Sequence, residues 1–205
     1  MPAAERRITP QDIEPVEVFA PQRKARRAAL LPAKRLRRVA LGPHCTVYFE
    51  SYETMLFQIQ EMLLIEKGGE AQMADELAAY NPLIPQGHEL VATVMFEIDD
   101  PVRRARVLGE LGGVEDHFFL EIGGERAGAT PEGDIERTRE DGKTSSVHFL
   151  RFPLSQGQAV NFRDSGMKAL IGCDHRLYAH MAALSEETRA ELAKDLLPAT
   201  EWHAA

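Results

Sequence analysis

The sequence is poor in cysteine and has no long hydrophobic run. Cys45 and Cys173 are its two cysteines among 205 residues, too few for a disulfide framework and too far apart for a zinc ribbon. The apolar runs fall far short of the roughly 20 residues that a membrane span needs. The amino terminus, Met-Pro-Ala-Ala-Glu-Arg-Arg, has no signal-peptide core. We therefore expect two buried thiols, no membrane span and a cytoplasmic location.

The sequence also lacks the compact motifs of nucleotide-binding proteins and zinc hydrolases. It contains no Gly-x-Gly-x-x-Gly after a predicted strand, no phosphate loop, no His-Glu-x-x-His, no Cys-x-x-Cys and no Gly-x-Ser-x-Gly. A nucleophilic Cys173 is disfavoured, because Cys173 and Asp174 would point to opposite faces of a strand. Whether the protein is an enzyme is thus left open.

Positive charge is concentrated in one segment of an otherwise acidic chain. Residues 23–38 contain eight basic and no acidic residues, whereas the formal net charge of the whole chain is −8. The segment has no interleaved aromatic residues and the rest of the chain would repel a phosphate backbone, so nucleic-acid binding is disfavoured. We expect the segment to pack on an acidic surface of this chain or of a second subunit. The alternative is an anion site formed by Arg35, Arg37 and Arg38.

The order of the predicted elements indicates a single α+β domain. Helices come first and antiparallel strands follow. The most apolar predicted helix covers about residues 51–67, and we expect it to be a buried central helix packed on a mostly antiparallel sheet. In this interpretation residues 1–33 are a basic helical segment, residues 34–197 the α+β core and residues 198–205 a tail.

Prolines, glycines and capping residues predict where the elements begin and end. Thr9-Pro10 predicts a helix start, Pro21 a break, and residues 22–31 a second basic helix that Pro32 ends. Further helices are predicted over 70–80, 101–111, 155–163 and 185–197. Strands are predicted over 35–41, 46–50, 89–99, 116–122, 125–129, 134–140, 144–153, 167–173 and 177–184, with hairpin turns at Gly123-Gly124 and Asp141-Gly142.

The predicted central helix carries polar residues on its apolar surface. Thr54 belongs to its polar sector and is expected to face water, but Glu53, Gln60 and Glu66 fall among apolar positions. A buried carboxylate is costly unless it is paired, hydrogen-bonded, protonated or bound to a metal. The helix therefore predicts either a structural polar network or a site.

One hypothesis is a metal site built from carboxylates and histidines. Its candidate ligands are Glu53, Glu66, Glu97, His117 and His148, and its cofactor would be a first-row metal ion such as iron, manganese or zinc. The Glu-x-x-His repeat of ferritin-like di-iron proteins is absent. The competing hypothesis is that these side chains satisfy one another or reach solvent at the strand ends.

A second hypothesis is a binding pocket formed by Gln60, Tyr80, Asn81, His175 and Tyr178. In the run Tyr80-Asn81-Pro82, Asn81 would serve as a hydrogen-bond donor, but the same run is an ordinary helix stop. His175 and Tyr178 would line the mouth of the pocket, and a network within a turn explains them equally well.

Several stretches together match one bacterial family. They are the run from Arg37 to Pro43, Phe49-Glu50 with Thr54, the helix from Gln60 to Glu66, Glu76-Leu77 with Ala79-Tyr80-Asn81 and Leu83-Ile84-Pro85, Glu89-Leu90 with Ala92-Thr93 and Glu97, Asp174-His175 with Tyr178, and the helix from Ala190 to Leu196. Over nearly the whole chain this pattern resembles DUF3501, a family of uncharacterised bacterial proteins. The resemblance implies a redox or oxidative-stress context, because family members are often encoded beside rubrerythrin-like proteins and iron–sulfur oxidoreductase subunits. It assigns no catalytic residue.

Three functions are compatible with these observations. The first is an accessory or binding protein of a redox system, which docks onto an iron–sulfur or rubrerythrin-type partner through its acidic surface or its basic segment. The second is a metal-dependent enzyme, and the third an anion-binding protein that uses residues 23–38. A homodimer is the expected assembly for a bacterial protein of this size.

Overall fold

The chain folds into helices and strands over the two ranges that the computed structural model describes, residues 6–132 and 143–202. The helices are α1 (Val16–Leu36), α2 (Tyr52–Glu66), α3 (Gly69–Tyr80), α4 (Pro101–Glu110), α5 (Gln156–Arg163) and α6 (Glu186–Leu192). The strands are β1 (Arg38–Leu41), β2 (Cys45–Phe49), β3 (Glu89–Phe96), β4 (Phe118–Ile122), β5 (Glu125–Gly128), β6 (Thr130–Pro131), β7 (Val147–Pro153), β8 (Ala169–His175) and β9 (Tyr178–Ala183). The predicted α+β class is confirmed.

Two antiparallel sheets build the larger core. The first has the strand order β1-β2-β3-β7-β6 and the second the order β5-β4-β8-β9. In β3, alternate residues Leu90, Ala92 and Val94 are fully buried in the core that both sheets share. The residues between them point to the other face of the first sheet, because successive strand side chains alternate. The strands predicted for one sheet are thus divided between two.

A second, smaller core lies on that other face, under α2 and α3. Met55, Ile59 and Leu63 of α2 pack there with Val91 of β3. The predicted helix is confirmed, and Ser51 caps it by accepting a hydrogen bond from the Thr54 backbone N–H at 3.3 Å. One face of α2 is buried, and its other face looks away from the core.

Helix α1 runs through both of its prolines. The predicted break at Pro21 and end at Pro32 are wrong, because one helix covers Val16–Leu36. Each proline removes one backbone donor, but the acceptors left without that donor belong to Glu17 and Ala28, which are exposed and open to water. The predicted start at Thr9-Pro10 is a single 3-10 turn, Pro10–Asp12.

The predicted hairpin between β4 and β5 is confirmed. Gly123 and Gly124 adopt φ values of +59° and +88°, which glycine reaches without strain. The predicted strand 134–140 and its Asp141-Gly142 turn lie outside the described residues. In the part of the chain that the structure covers, none of the helices has the length and apolar character needed to cross a membrane.

Candidate binding surfaces on helix α1 and the sheet beside it

Half of the basic residues in segment 23–38 pair with the protein's own acidic groups. The expectation that this segment packs on an acidic surface of the chain is confirmed for these four. The pairs are Arg23 with Glu61, Arg26 with Glu14, Arg37 with Asp195 and Glu191, and Arg38 with Glu97. They fix the helix and the residues that follow it to the rest of the protein.

The other four basic residues form an exposed stripe on α1. Lys24, Arg27, Lys34 and Arg35 are exposed, and within the described ranges they make no ion pair. At 3.6 residues per turn they share about one third of the helix circumference and extend over roughly 16 Å of its length. Leu31, whose exposed fraction is 43%, lies on the same side. We call Lys24, Arg27, Leu31, Lys34 and Arg35 the basic stripe.

Arg37 follows α1 and belongs to a buried network. Its guanidinium donates to both carboxylate oxygens of Asp195, at 2.7 and 3.0 Å, and to Glu191 at 3.1 Å. The exposed fractions of Arg37 and Asp195 are 4% and 2%. Burial opposes the positive charge, but the hydrogen bonds and charges of Asp195 and Glu191 raise the pKa of Arg37 overall. Arg37 is therefore not available to an external anion, and the predicted anion site of Arg35, Arg37 and Arg38 is not formed as a unit.

A groove of about 220 Å³ lies beside the C-terminal end of α1, on the outer face of the first sheet. Thr93 and Met95 of β3 form part of it because they alternate with the buried Ala92 and Val94. Its other lining residues are Lys34, Arg37, Tyr48, Phe49, Glu50 and Thr54. We call it the Glu50 groove.

Two hydroxyl groups fix the carboxylate of Glu50 in this groove. One oxygen accepts from the Thr93 hydroxyl and the other from the Thr54 hydroxyl, both at 2.7 Å. Arg37 lines the same groove but contacts Glu50 only at the backbone carbonyl, at 3.1 Å. Among the described residues, no basic side chain forms an ion pair with Glu50.

Thr54 was predicted to face water, and this is wrong. Its exposed fraction is 4%, because its hydroxyl bonds to the Glu50 carboxylate and to the Ser51 carbonyl. The sequence contained two signals for the site: Tyr48 and Glu50 alternate with Val47 and Phe49, and Glu50 with Thr54 belongs to the family pattern. Neither signal shows that β3 supplies the second hydroxyl.

The five predicted metal ligands lie at separate places. The two on α2 are both exposed; Glu53 accepts from the Ser51 hydroxyl at 2.8 Å, and Glu66 accepts from the Gln72 amide at 3.1 Å. The metal hypothesis started from the cost of a buried carboxylate without a partner. Neither Glu53 nor Glu66 is buried, so this reason for a metal does not apply to them.

The other three candidate ligands have partners of their own. Glu97 accepts from the hydroxyls of Thr46 and Tyr48, at 2.6 and 2.7 Å. His117 pairs with Asp174 at 3.0 Å on the second sheet, and His148 is fully buried beside the Ser145 carbonyl. Over residues 6–132 and 143–202, no group of three or more His, Cys, Asp or Glu side chains is placed to hold a metal ion.

Three predicted binding residues, Gln60 of α2, Tyr80 of α3 and Asn81 directly after α3, form hydrogen bonds with other parts of the chain. The Asn81 side chain accepts a hydrogen bond from the Ile8 N–H at 2.7 Å and donates one to the Ile8 carbonyl at 2.9 Å. Gln60 donates to the Glu14 carbonyl at 3.2 Å, and Tyr80 accepts from the Gln58 amide at 3.5 Å. Asn81 and Gln60 thus have internal partners, and each also lines a groove. Asn81 lines one of about 880 Å³ beside Ile8, and Gln60 lines one of about 330 Å³ between α1 and α2.

The two remaining predicted binding residues lie on β8 and β9. The buried Tyr178 hydroxyl donates to the Leu41 carbonyl at 2.7 Å and accepts from the His44 N–H at 3.0 Å. Burial raises the pKa of Tyr178 to about 12. The ring of His175 packs 5.1 Å from that of His117, and burial lowers the pKa of His175. The structure does not bring this pair together with Asn81 and Gln60.

Comparisons with known proteins give a family and a fold. The model of the family described as "Protein of unknown function (DUF3501)" matches residues 7–196. The chain is also similar to a crystal structure described as a novel protein of unknown function from Burkholderia pseudomallei K96243, with 36% identity and a TM-score of 0.85 over 92% of this chain and 98% of the other. No curated protein matches the chain.

Proposed function

We propose that the protein, which belongs to the DUF3501 family, is an accessory protein that binds an acidic partner protein through the basic stripe of α1. The observation that carries this proposal is the division of the basic segment. Four of its cations are paired internally, whereas Lys24, Arg27, Lys34 and Arg35 are exposed without an ion pair in the described part of the chain. An acidic protein, of net charge −8, thus presents a concentrated positive surface.

The stripe suits a protein partner because its helix is attached to the rest of the protein and because an apolar residue, Leu31, lies at its centre. Phe19 is 2% exposed and packs edge-to-face on Phe57 of α2, with ring centroids 5.8 Å apart. Next to the stripe, Arg23 pairs with Glu61, and Arg26 pairs with Glu14, so both attach α1 to the rest of the protein. A helix fixed in this way loses little conformational entropy on binding, and charge complementarity speeds the encounter.

The partner class comes from the family resemblance. An acidic iron–sulfur or rubrerythrin-type protein fits both the redox context and the charge of the stripe. The metal-enzyme hypothesis has less support, because its five candidate ligands are scattered and each carboxylate has its own donor.

Charge reversal of the stripe tests the proposal. We expect wild-type protein to bind purified rubrerythrin, or the purified iron–sulfur oxidoreductase subunit, of the same organism, with an affinity that falls between 50 and 300 mM NaCl, as screening of exposed charges requires. The combined variant K24E/R27E/K34E/R35E should bind at least about tenfold more weakly, which corresponds to about 1.4 kcal/mol. The measurement is isothermal titration calorimetry at both salt concentrations.

The matched control reverses four other exposed cations and so changes the net charge equally. The variant R7E/R106E/K168E/R176E should bind like wild type, because these residues lie outside the stripe. Equal losses in both variants would show that only net charge matters. Binding of duplex DNA or RNA in place of either protein would favour the anion-binding alternative.

A further inference from the structure

We infer that the Glu50 groove binds a small organic amine in its ammonium form, with Glu50 as the counter-ion. The inference rests on the groove alone and holds whether or not α1 binds a protein partner. Its starting point is a carboxylate that is fixed in a cavity without a cation of its own.

Two hydrogen bonds hold the Glu50 carboxylate in one orientation, but among the described residues it has no ion-pair partner. Thr54 and Thr93 each donate one hydroxyl hydrogen bond to it at 2.7 Å. A carboxylate has about four acceptor positions, so positions remain for an ammonium group in the groove. Hydrogen bonds between charged groups are roughly twice as strong as neutral ones.

The nearby guanidinium does not fill this role. The Arg37 guanidinium donates its hydrogen bonds to Asp195, to Glu191 and to the Glu50 carbonyl. Two buried carboxylates, those of Asp195 and Glu191, already pair with the Arg37 guanidinium. These ion pairs hold it away from the Glu50 side chain. Lys34 is the other cation at the groove, and it forms no ion pair with the half-buried Glu50. The Glu50 carboxylate is therefore open to the ammonium group of a ligand.

The shape of the groove limits the ligand to a small molecule with a short apolar body. A volume of about 220 Å³ is below the 300–1,000 Å³ range of sites for drug-sized ligands. Tyr48 and Met95 supply apolar walls. A ligand of this kind would place its ammonium group on Glu50 and its alkyl chain against Met95.

Lys34 is a second recognition group in the groove. It is exposed, lines the same groove and makes no ion pair within the described ranges. A ligand that also carries a carboxylate would pair with Lys34, whereas a simple alkylamine would leave it in water. Both kinds of ligand, an amino acid and a plain amine, place an ammonium group on Glu50. They differ in whether they also pair with Lys34.

Binding of a defined panel to the full chain tests the inference. The panel is butylamine, 5-aminovalerate, butyrate and butanol, followed through the amide and methyl NMR signals of Thr54, Thr93 and Met95. We expect the two amines to shift these signals in a saturable way and butyrate and butanol to leave them unchanged. If 5-aminovalerate binds more strongly than butylamine and Lys34→Ala removes this difference, the ligand class is an amino acid. If the two bind equally, the ligand class is a plain amine.

Three variants establish where the amine binds. Glu50→Gln should weaken amine binding at least tenfold, and Met95→Trp should do so by filling the groove while leaving Glu50 intact. Glu66→Gln, an exposed carboxylate on α2, is the matched control and should bind like wild type. Saturable binding that is unchanged in both Glu50→Gln and Met95→Trp would overturn the inference, and so would the absence of any amine-induced shift in wild-type protein.

Discussion

At the scale of single residues, Glu97 shows how neighbouring hydroxyls tune a carboxylate. The hydrogen bond from Thr46, with a second one from Tyr48, holds the pKa of Glu97 below its ordinary value of 4.5. Removing the Thr46 hydroxyl leaves the carboxylate with less support for its charged form. We therefore expect Thr46→Val to raise the pKa of Glu97 in the folded protein.

The sign of the effect on stability follows from this shift. Because the pKa of Glu97 is lower in the folded than in the unfolded chain, ionised Glu97 stabilises the fold above the unfolded pKa, and this contribution is lost as the pH falls through the folded pKa. Carbon-13 NMR titration of the Glu97 carboxyl in wild type and in Thr46→Val measures the change. Thr130→Val, on the exposed strand β6, is the control, and an equal pKa in all three proteins would contradict the prediction.

The same residue shows what the sequence could predict about the candidate sites. Strand periodicity predicts that Glu97 shares one side of its strand with Thr93 and Met95. Glu97 directly follows the end of β3 and, like them, lies outside the larger core. It does not tell that β2 pairs with β3 in a register that sets Thr46 opposite Met95 and Tyr48 opposite Thr93. That register provides Glu97 with hydroxyl donors, where the residue pattern alone allowed a metal ion.

At the scale of elements, the Arg37 network joins the end of α1 to the C-terminal segment after α6. Arg37→Leu would leave Asp195 and Glu191, which are 2% and 9% exposed, without their guanidinium partner. Removal of one partner of a buried ion pair costs about 3–5 kcal/mol. We expect the free energy of unfolding, measured by urea denaturation, to fall by roughly this amount.

Arg35→Leu is the control for this prediction, because Arg35 lies two residues away on the exposed stripe. Its free energy of unfolding should stay within about 0.5 kcal/mol of wild type, as for most surface substitutions. Equal effects of the two substitutions would show that the network adds nothing beyond an ordinary surface arginine.

Helices α1 and α2 show where local sequence signals fail. Proline predicted breaks at Pro21 and Pro32, yet contacts along α1 with Glu61, Glu14 and Phe57 keep the helix continuous. Periodicity correctly predicted α2, which buries Met55, Ile59 and Leu63 on one face. It misjudged Thr54, because the burial of a polar side chain depends on partners from other elements.

At the scale of the whole molecule, the sequence predicts the fold class but not the division into two sheets. A strand with one buried face gives the same alternation in either sheet. β3 is an exception, since both of its faces are largely buried: Leu90, Ala92 and Val94 enter the larger core, and Val91 enters the smaller one. This strand is also central in its sheet, with β2 and β7 as its neighbours.

The two ends of the described chain meet on the loop before β3. Arg6 donates to the Pro85 carbonyl at 2.9 Å and to the Asp195 carbonyl at 2.7 Å. The Leu197 N–H donates to the Gly87 carbonyl at 2.9 Å. These bonds connect the amino-terminal segment, the smaller core and the C-terminal segment.

Because β3 belongs to both cores and both ends of the described chain are attached beside it, we predict that the protein unfolds as one cooperative unit. Trp202 is the one tryptophan, and its ring packs 4.6 Å from that of His88, so its fluorescence reports on the C-terminal segment. Urea unfolding followed by Trp202 fluorescence and by far-UV circular dichroism should give the same midpoint and slope. Trp202→Phe, which removes the fluorescence signal, should keep a single circular dichroism transition. A fluorescence transition that precedes the loss of helix signal would instead show that the residues after α6 detach from a core that stays folded.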